Sequence, residues 1–472
     1  MRRCPAAILA LALVGGCAVG PDYRRPEAEV SAAYKEAEAG WKLAEPRDDA
    51  SRGRWWEVFA DPQLGALLDQ VEVSNQNVLA AEARYRQARA LAAASRAGFF
   101  PTLDANASIV RSRSPSGVLG GTTAGRIITN RSASLSSAWE ADLWGRIRRA
   151  AESSAASAQA SAADLAAARL SAQAELASNY FQLRILDAQK QLLDDTAAAF
   201  DKSLELTRNR YAAGVAAKVD LVQAQTQLKS TQAQAIDTGV QRAQLEHAIA
   251  ILTGKPPAQF SITPVPLVVA MPRIPVGLPS ELLERRPDIA SAERHVAAAN
   301  AQVGVATAAY FPALTLSAAG GFRSPDASQW FTVPSRFWSI GPALAQSLFD
   351  GGLRRAQTEQ AVAAYDATVA DYRQAVLEGI QEVEDNLAAL RILDEEARVQ
   401  EEAVSAGRES VALTLNQYKA GTVSYLNVVT VQTTQLNNER TAVGILGRRL
   451  VAAVTLVKAL GGGWSAAASQ SQ

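Results

Sequence analysis

The chain contains one unit twice. The segments 210–225 (RYAAGVAAKVDLVQAQ) and 417–432 (QYKAGTVSYLNVVTVQ) lie 207 residues apart, and each places Tyr-x-x-Gly inside a long helical pattern. The sequence LRILD also recurs, at Leu183 and again at Leu390. A repeat this wide predicts one hairpin-bearing module used twice, rather than a catalytic domain joined to a binding domain.

Proline placement and charge balance narrow the fold further. No proline lies between Pro115 and Pro256 or after Pro342, so two stretches of more than a hundred residues lack the commonest helix breaker. The 472 residues carry 47 acidic and 47 basic side chains, which leaves no overall charge to attract nucleic acid. The proline-free stretches therefore favour long helices, and the balanced charge gives no sign of a nucleic-acid-binding protein.

The first residues have the pattern of a bacterial export signal. Two arginines precede an apolar run, Ala6 to Val14, and small residues then lead to Cys17. The apolar run is too short to cross a bilayer as a retained helix. The sequence LVGGC resembles a lipoprotein cleavage box, which implies that residues 1–16 are removed and that Cys17 carries a covalent lipid. Ala18 at the next position favours the outer membrane as the destination.

The rest of the chain divides into an arm, two repeats and their connections. Trp55 and Trp56 would anchor the arm, and Asp61-Pro62 would begin a helix that continues to Ala97 with a break near 74–77. The predicted segments are the arm 17–60, the first repeat 61–254, the crossover linker 255–279, the second repeat 280–461 and the tail 462–472.

Each repeat also contains a pair of predicted β-strands. Apolar and polar residues alternate with a period of two, which indicates strands with one apolar face. These strands are predicted at about 101–113, 132–144, 312–323 and 337–349. Four tryptophans flank them and would form either an aromatic girdle at a lipid interface or part of a core: Trp139, Trp144, Trp330 and Trp338.

A long helical hairpin follows each strand pair, at 146–254 and 353–461. Gly214 and Gly421 suit the left-handed conformation that ends a helix and turns the chain. Apolar residues with a spacing of about 3.5 run along both arms of each hairpin, which predicts coiled-coil packing. Many seam positions are Ala or Ser, so each hairpin needs lateral neighbours.

The number of strands sets a constraint of its own. Strands of this length match the roughly 9 to 11 residues that cross an outer membrane, but a closed sheet in lipid needs about eight strands or more. Four transmembrane strands would therefore form one sector of a shared barrel, and the hairpins one sector of a shared helical tube. The alternative fold is a soluble α+β protein with two small sheets.

Four segments carry a resemblance to a known family. They are CAVGPDYRRP, WWEVFADPQLGALLDQVEVSNQNV, ERRPDIASAERHVAAANAQVGVATAAYFP and QEVEDNLAALRIL. In this order they resemble the TolC-type outer-membrane efflux channels of the NodT-like lipoprotein subfamily, over essentially the whole mature chain. The resemblance implies a mainly α fold with transmembrane β-strands, in which a homotrimer forms a 12-stranded β-barrel on a periplasmic α-barrel. It also implies two protein partners, a periplasmic adaptor and an inner-membrane pump.

The resemblance assigns roles to residues at the hairpin turns. The residues that would dock the adaptor are Tyr211, Gly214, Val215, Gly421 and Thr422. Those that would form the periplasmic gate are Leu426, Thr430 and Tyr418. The family often has an Asp ring one turn after the Leu ring, and Thr430 occupies that position here. A carboxylate ring can therefore not be assumed for this chain, and the sequence leaves its presence at the gate open. Asp220 in the first turn is expected to cap a helix or bridge two helices.

No pattern in the chain predicts catalysis, a metal or a cofactor other than the lipid. His247 and His295 are far apart in sequence, and no catalytic triad, phosphate-binding loop or nucleotide motif is present. We therefore expect a passive exit duct for drugs or other small toxic compounds in a tripartite efflux system, and not an enzyme. Two alternatives remain, the outer channel of a type I protein secretion system and a lipid-anchored structural coiled-coil protein without a pore.

Overall fold

A computed structural model describes residues 19–36, 54–113, 127–266, 271–272, 274 and 285–462. Several predictions concern residues outside these ranges. They are the signal 1–16, the lipid on Cys17, part of the linker 255–279 and nearly all of the tail 462–472.

Helices and strands follow one another in the same order in both halves of the chain. The first half contains α1 (Pro62–Ser74), α2 (Gln76–Ala97), β1 (Thr102–Arg113), β2 (Ile127–Ala141), α3 (Arg146–Ala212) and α4 (Lys218–Leu252). The second contains α5 (Pro287–Ala308), β3 (Ala313–Ser324), β4 (Arg336–Ala345), α6 (Leu353–Ala420) and α7 (Tyr425–Ala459). The long helices α3 and α6 have 67 and 68 residues, as the proline-free stretches predict.

Side-chain caps divide the first predicted helix into α1 and α2. Asp61 Oδ1 accepts hydrogen bonds from the backbone N–H groups of Gln63 (2.9 Å) and Leu64 (3.0 Å) at the start of α1. Asn75 Oδ1 accepts from Asn77 (3.0 Å) and Val78 (3.1 Å) and so starts α2. The predicted N-cap and the predicted break are both confirmed.

The four strands form one antiparallel sheet in the order β1-β2-β3-β4. The alternative of two separate small sheets is therefore wrong, because β2 pairs with β3 across the two repeats. Within the described residues β1 and β4 each have a partner on one side only. The sheet therefore has two free edges.

The register places apolar side chains on one face of the sheet and polar ones on the other. Leu103 is opposite Ser137, which is opposite Ala318, which is opposite Ile340. The apolar face carries exposed Leu103, Ile109, Leu135, Trp139, Leu316, Trp338, Ile340 and Leu344. The opposite face is rich in Ser, Thr and Asn and contains the hydrogen bond between Ser108 and Ser132. An apolar outer face and a polar inner face are typical of transmembrane sheets.

The second strand lies earlier in the sequence than predicted. It spans Ile127–Ala141 rather than 132–144, because Ile127 pairs with Arg113 and extends the ladder. It ends before Asp142, whose carboxylate accepts from the backbone N–H groups of Ile147 (3.0 Å) and Arg148 (2.8 Å). The carboxylate therefore serves the start of α3 rather than the sheet.

The fourth strand is shorter than the predicted 337–349. It ends at Ala345, the partner of Ala313 at the beginning of β3. Asp350 then caps α6 by accepting from the backbone N–H groups of Gly352 (3.0 Å) and Arg354 (3.3 Å). The residues before Asp350 form the connection to that cap.

The chain separates into two compact units that cut across the repeats. Unit 1 contains Met1–Glu27, Tyr85–Ser161 and Ala292–Tyr372, and unit 2 contains Ala28–Arg84, Ala162–Ser291 and Arg373–Gln472. The predicted repeats 61–254 and 280–461 each contribute segments to both units. Strands of the two repeats pair with each other, as β2 and β3 do within unit 1.

Unit 1 holds the sheet and the first part of the arm. The backbone N–H of Val19 donates to the Trp144 carbonyl (3.1 Å), and Asn300 Nδ2 donates to the Pro21 carbonyl (3.0 Å). The Tyr23 hydroxyl donates a hydrogen bond to Glu293 (2.5 Å). Burial raises the pKa of this hydroxyl, and the hydrogen bond to Glu293 raises it further. These contacts fix the arm against the connection between β2 and α3 in the first repeat and against α5 in the second.

Unit 2 contains a buried ion network. Arg184 is 2% exposed and pairs with Asp187 (3.2 Å), whose second oxygen accepts from Arg242 on α4 (2.7 Å). Arg184 also donates to the Thr263 carbonyl (3.0 Å), and Arg242 donates to the Ile262 carbonyl. Because each buried charge has a partner, the network holds the beginning of the crossover against α3 and α4.

Candidate functional site

The two hairpin turns, both in unit 2, have the same backbone geometry. Gly214 has φ +76° and Gly421 has φ +80°, a region that an L side chain rarely adopts. Val215 N–H donates to the Arg210 carbonyl (2.9 Å), and Thr422 N–H donates to the Gln417 carbonyl (3.0 Å). With the glycine N–H bonds to Tyr211 and Tyr418, each turn forms a complete Schellman motif, so the glycines end α3 and α6 as predicted.

The helices that leave these turns begin differently. Asp220 accepts from the backbone N–H of Ala217 (3.3 Å), which places its carboxylate at the N-terminus of α4. Ser424 precedes α7 and makes no side-chain cap. The expectation that Asp220 caps a helix is therefore confirmed. Its carboxylate caps α4 after the Gly214 turn, and Ser424 provides no such cap for α7 after the Gly421 turn.

A buried cluster joins the two hairpins just behind their turns. It consists of Phe200, Leu204, Ala224, Leu228, Tyr418, Tyr425 and Val428. The rings of Tyr418 and Tyr425 meet edge to face at 5.3 Å between centroids. Burial raises the pKa of the Tyr425 hydroxyl to about 12, with Tyr418 and Asp220 as smaller contributors.

Arg210 links the first turn to the second. Its Nη1 donates to the Lys419 carbonyl in the last turn of α6 (3.0 Å), and its guanidinium lies over the Tyr418 ring at 4.9 Å. Tyr418 in turn donates its hydroxyl hydrogen bond to Thr207 on α3 (3.3 Å). The contacts hold the two turns of one chain together.

The structure separates the three predicted gate residues into two groups. Leu426 is 54% exposed, and Thr430, also exposed, lies one helical turn further along α7. The Thr430 hydroxyl donates to the Leu426 carbonyl (2.9 Å). Tyr418 is only 3% exposed, so it can influence a gate only through the packing of the hairpins.

All five predicted docking residues are exposed. Val215 is 65% exposed and Tyr211 42%, and both glycines and Thr422 are also at the surface. The repeat-equivalent tyrosines, Tyr211 and Tyr418, therefore have opposite environments. The surface at the turns has the accessibility that a docking site needs.

Sequence reasoning missed Arg210 as part of the site. Arg210 corresponds to Gln417 in the second copy, so a basic residue present in only one copy was the available signal. The burial of Tyr425 could not be predicted from its own segment, because it depends on the packing of four helices from both hairpins.

Within the described residues, no group of three or more His, Cys, Asp or Glu side chains could hold a metal ion. The helices of that same part of the chain include none that is long and apolar enough to cross a membrane.

Comparison with known proteins identifies the family. A family model described as "Outer membrane efflux protein" matches residues 67–255 and 278–462. The chain belongs to this outer-membrane efflux protein family. The predicted family and outer-membrane location are thus confirmed, and the family consists of channel proteins rather than enzymes.

Two relatives are similar over more than nine-tenths of both chains. The solvent efflux pump outer membrane protein SrpC of Pseudomonas putida is 32% identical over 460 residues, which cover 97% of this chain and 98% of SrpC. The pyoverdine export outer membrane protein OpmQ of Pseudomonas aeruginosa is 34% identical over 436 residues, 91% of each chain.

Solved channels share the fold. The outer-membrane channel OprN superimposes with a TM-score of 0.89 at 33% identity, over 95% of this chain and all of OprN. The open state of the Neisseria gonorrhoeae MtrE outer membrane channel gives 0.82 at 27% identity, over 95% of this chain and 98% of MtrE. The predicted fold, mainly helical with a small antiparallel sheet, is confirmed.

Proposed function

We propose that the chain is the outer-membrane exit duct of a tripartite efflux system and passes drugs or other small toxic compounds out of the periplasm. The observation that carries the proposal is the match to outer-membrane channels over 95% of the chain. The relatives SrpC and OpmQ bear the names of efflux and export components.

The open sheet supports assembly into a trimer. An edge strand in lipid leaves backbone groups unpaired, so the free edges of β1 and β4 need neighbours. Three copies of a four-stranded sheet give twelve strands, which is enough to close a barrel. The apolar face would then meet lipid and the Ser-rich face would line the water-filled path.

Unpartnered apolar stripes on the long helices support the same assembly. Exposed aliphatic side chains follow roughly heptad spacing on α4, at Val222, Ile236 and Ile251, and on α6, at Leu377, Ile392, Val399 and Leu413. The α4 stripe of one copy could pack against the α6 stripe of the next copy. Such a head-to-tail interface generates a closed ring when the rotation closes.

The gate in this proposal is the exposed beginning of α7. Leu426 is the apolar residue exposed there, so three copies would place three leucines around the opening. Opening would require the hairpin ends to move apart, and an adaptor that binds the open arrangement more tightly would shift the equilibrium toward it.

The partners in this proposal are a periplasmic adaptor, an inner-membrane pump and outer-membrane lipid. The adaptor would dock at the exposed turns around Gly214 and Gly421, and the pump would supply the energy. We also propose a covalent lipid on Cys17, which rests on the export signal and its cleavage box in the sequence.

Deletion of the gene in its own host tests the proposal. Cells that lack the chain should accumulate several amphipathic dyes and antibiotics to a level severalfold higher, and a plasmid copy should restore export. The measurements are dye accumulation by fluorescence and growth inhibition across a panel of compounds.

Unchanged accumulation of every compound in that panel would contradict the proposal. Loss of one secreted protein from the medium, with no change in dye accumulation, would favour the type I secretion alternative. A structural coiled-coil protein would alter neither export measurement.

A further inference from the structure

The charges near the hairpin turns are mainly positive. Within eight residues of Gly214 and Gly421 the chain has four basic residues, Arg208, Arg210, Lys218 and Lys419, and a single acidic residue, Asp220. Arg208, Lys218 and Lys419 are exposed, whereas Arg210 is half-buried. Each chain therefore brings a formal excess of three positive charges to its turns, and three copies would bring nine.

This excess is local to the turns. Over the next eight residues of the four helical arms taken together the charges cancel: Lys202 and Lys229 balance Asp201 and Glu205, and Arg408 balances Glu409. The whole chain is neutral as well, with 47 residues of each sign. The positive charge is thus concentrated where the duct would open.

The narrow part of the proposed duct adds no opposing charge. The first fourteen residues of α7, from Tyr425 to Asn438, contain no acidic or basic side chain. Thr430 occupies its exposed face, and its hydroxyl is already engaged with the Leu426 carbonyl. Asp220 is held at the N-terminus of α4 by its hydrogen bond from Ala217. The basic residues at the turns therefore dominate the field at the entrance.

We propose that this basic mouth makes the duct selective for anions, so that its preferred cargo is small organic anions rather than cations. An opening lined by one sign of charge raises the local concentration of ions of the opposite sign. The effect extends over the Debye length, about 10 Å at 0.1 M salt and about 3 Å at 1 M. The inference rests on the proposed function, because it requires that the chain conduct.

The test is the reversal potential of the purified full-length protein in planar bilayers under a KCl gradient. Leu426→Ala serves as a second conducting background in case the wild-type gate rarely opens. We expect a chloride-to-potassium permeability ratio of about three or more near 0.1 M salt, decreasing toward one near 1 M. The pair Lys218→Glu and Lys419→Glu should bring the ratio below one, and both side chains are exposed, so the fold should tolerate the change.

A matched control is the pair Lys202→Glu and Lys229→Glu. It changes the net charge equally, but both residues are exposed at 12 and 15 positions from Gly214. At 1.5 Å per helical residue these positions lie about 18 Å and 22 Å from the turn, beyond the Debye length at 0.1 M salt. We expect the control to retain the wild-type ratio.

Three results would overturn the inference while leaving the channel intact. They are a wild-type ratio of one or less, an equal response of the control pair, and unchanged selectivity after the substitutions at Lys218 and Lys419. The last result, combined with lost adaptor binding, would assign the basic surface to an acidic partner protein. Absence of any conductance from both the wild type and Leu426→Ala would contradict the proposed function itself.

Discussion

At the scale of single residues, two repeat-equivalent positions behave differently. Tyr211 is exposed in the first turn, whereas Tyr418 is buried against Tyr425 and beneath the Arg210 guanidinium. The pattern Tyr-x-x-Gly predicted both turns correctly, because a left-handed glycine acts through the local backbone. It could not predict which tyrosine is buried, since that depends on side chains from the other hairpin.

Arg210 provides a residue-scale prediction. Arg210→Ala removes a charge-assisted hydrogen bond to the Lys419 carbonyl, worth roughly 1.5–3 kcal/mol, and a cation–π contact with Tyr418. We expect the amide hydrogens of Gly421 and Thr422 to exchange with solvent about tenfold faster or more, as local opening becomes easier. Hydrogen exchange with mass spectrometry measures this rate.

The control for Arg210 is Arg208→Ala. Arg208 is exposed on the same helix and carries the same charge. Its removal should leave exchange at the second turn unchanged. Equal exchange in wild type and Arg210→Ala would show that Arg210 does not hold the turns together.

At the scale of elements, the sequence predicted whether a segment is a helix or a strand better than it predicted the first and last residues of that element. Alternating residues located all four strands, yet β2 begins five residues earlier than the predicted 132 because pairing with β1 extends it. β4 stops four residues before the predicted 349, and the chain then reaches the Asp350 cap of α6. Pairing with partner strands sets these ends, and it is a tertiary feature that a single segment does not encode. The Asp350 cap is a local feature that only limits the connection after β4.

The exposed stripe on α4 gives the element-scale prediction. Ile236 is 77% exposed, so Ile236→Glu should leave the folded chain unchanged. A charge buried in an apolar seam destabilises assembly, so we expect the fraction of trimer in detergent to decrease severalfold. Light scattering coupled to size-exclusion chromatography measures the assembly state.

Ser230→Glu is the matched control on the same helix. Ser230 is exposed and lies about 120° around the helix axis from Ile236, at roughly 100° per residue. It should assemble like the wild type. A trimer fraction for Ile236→Glu equal to that of the control would exclude the α4 stripe from the interface.

At the scale of the whole molecule, the duplication and the count of only four predicted strands were the most informative features of the sequence. They predicted two hairpins and a sheet that cannot close alone, and the structure has both. Corresponding parts of the two repeats lie in the same compact unit, so each repeat contributes to both units. The placement of Arg210 and Tyr425 in the site also depends on that packing between repeats.

The central claim is that copies of the chain enclose a water-filled path closed near Leu426. Single-channel current through the purified full-length protein in planar bilayers tests it most directly, with Leu426→Ala compared with wild type. The control is Leu91→Ala, a leucine of similar exposure (60% against 54%) outside the hairpins. We expect higher conductance for Leu426→Ala alone. Equal conductance in all three proteins would remove Leu426 from the gate, and no current from any of them would contradict the channel itself.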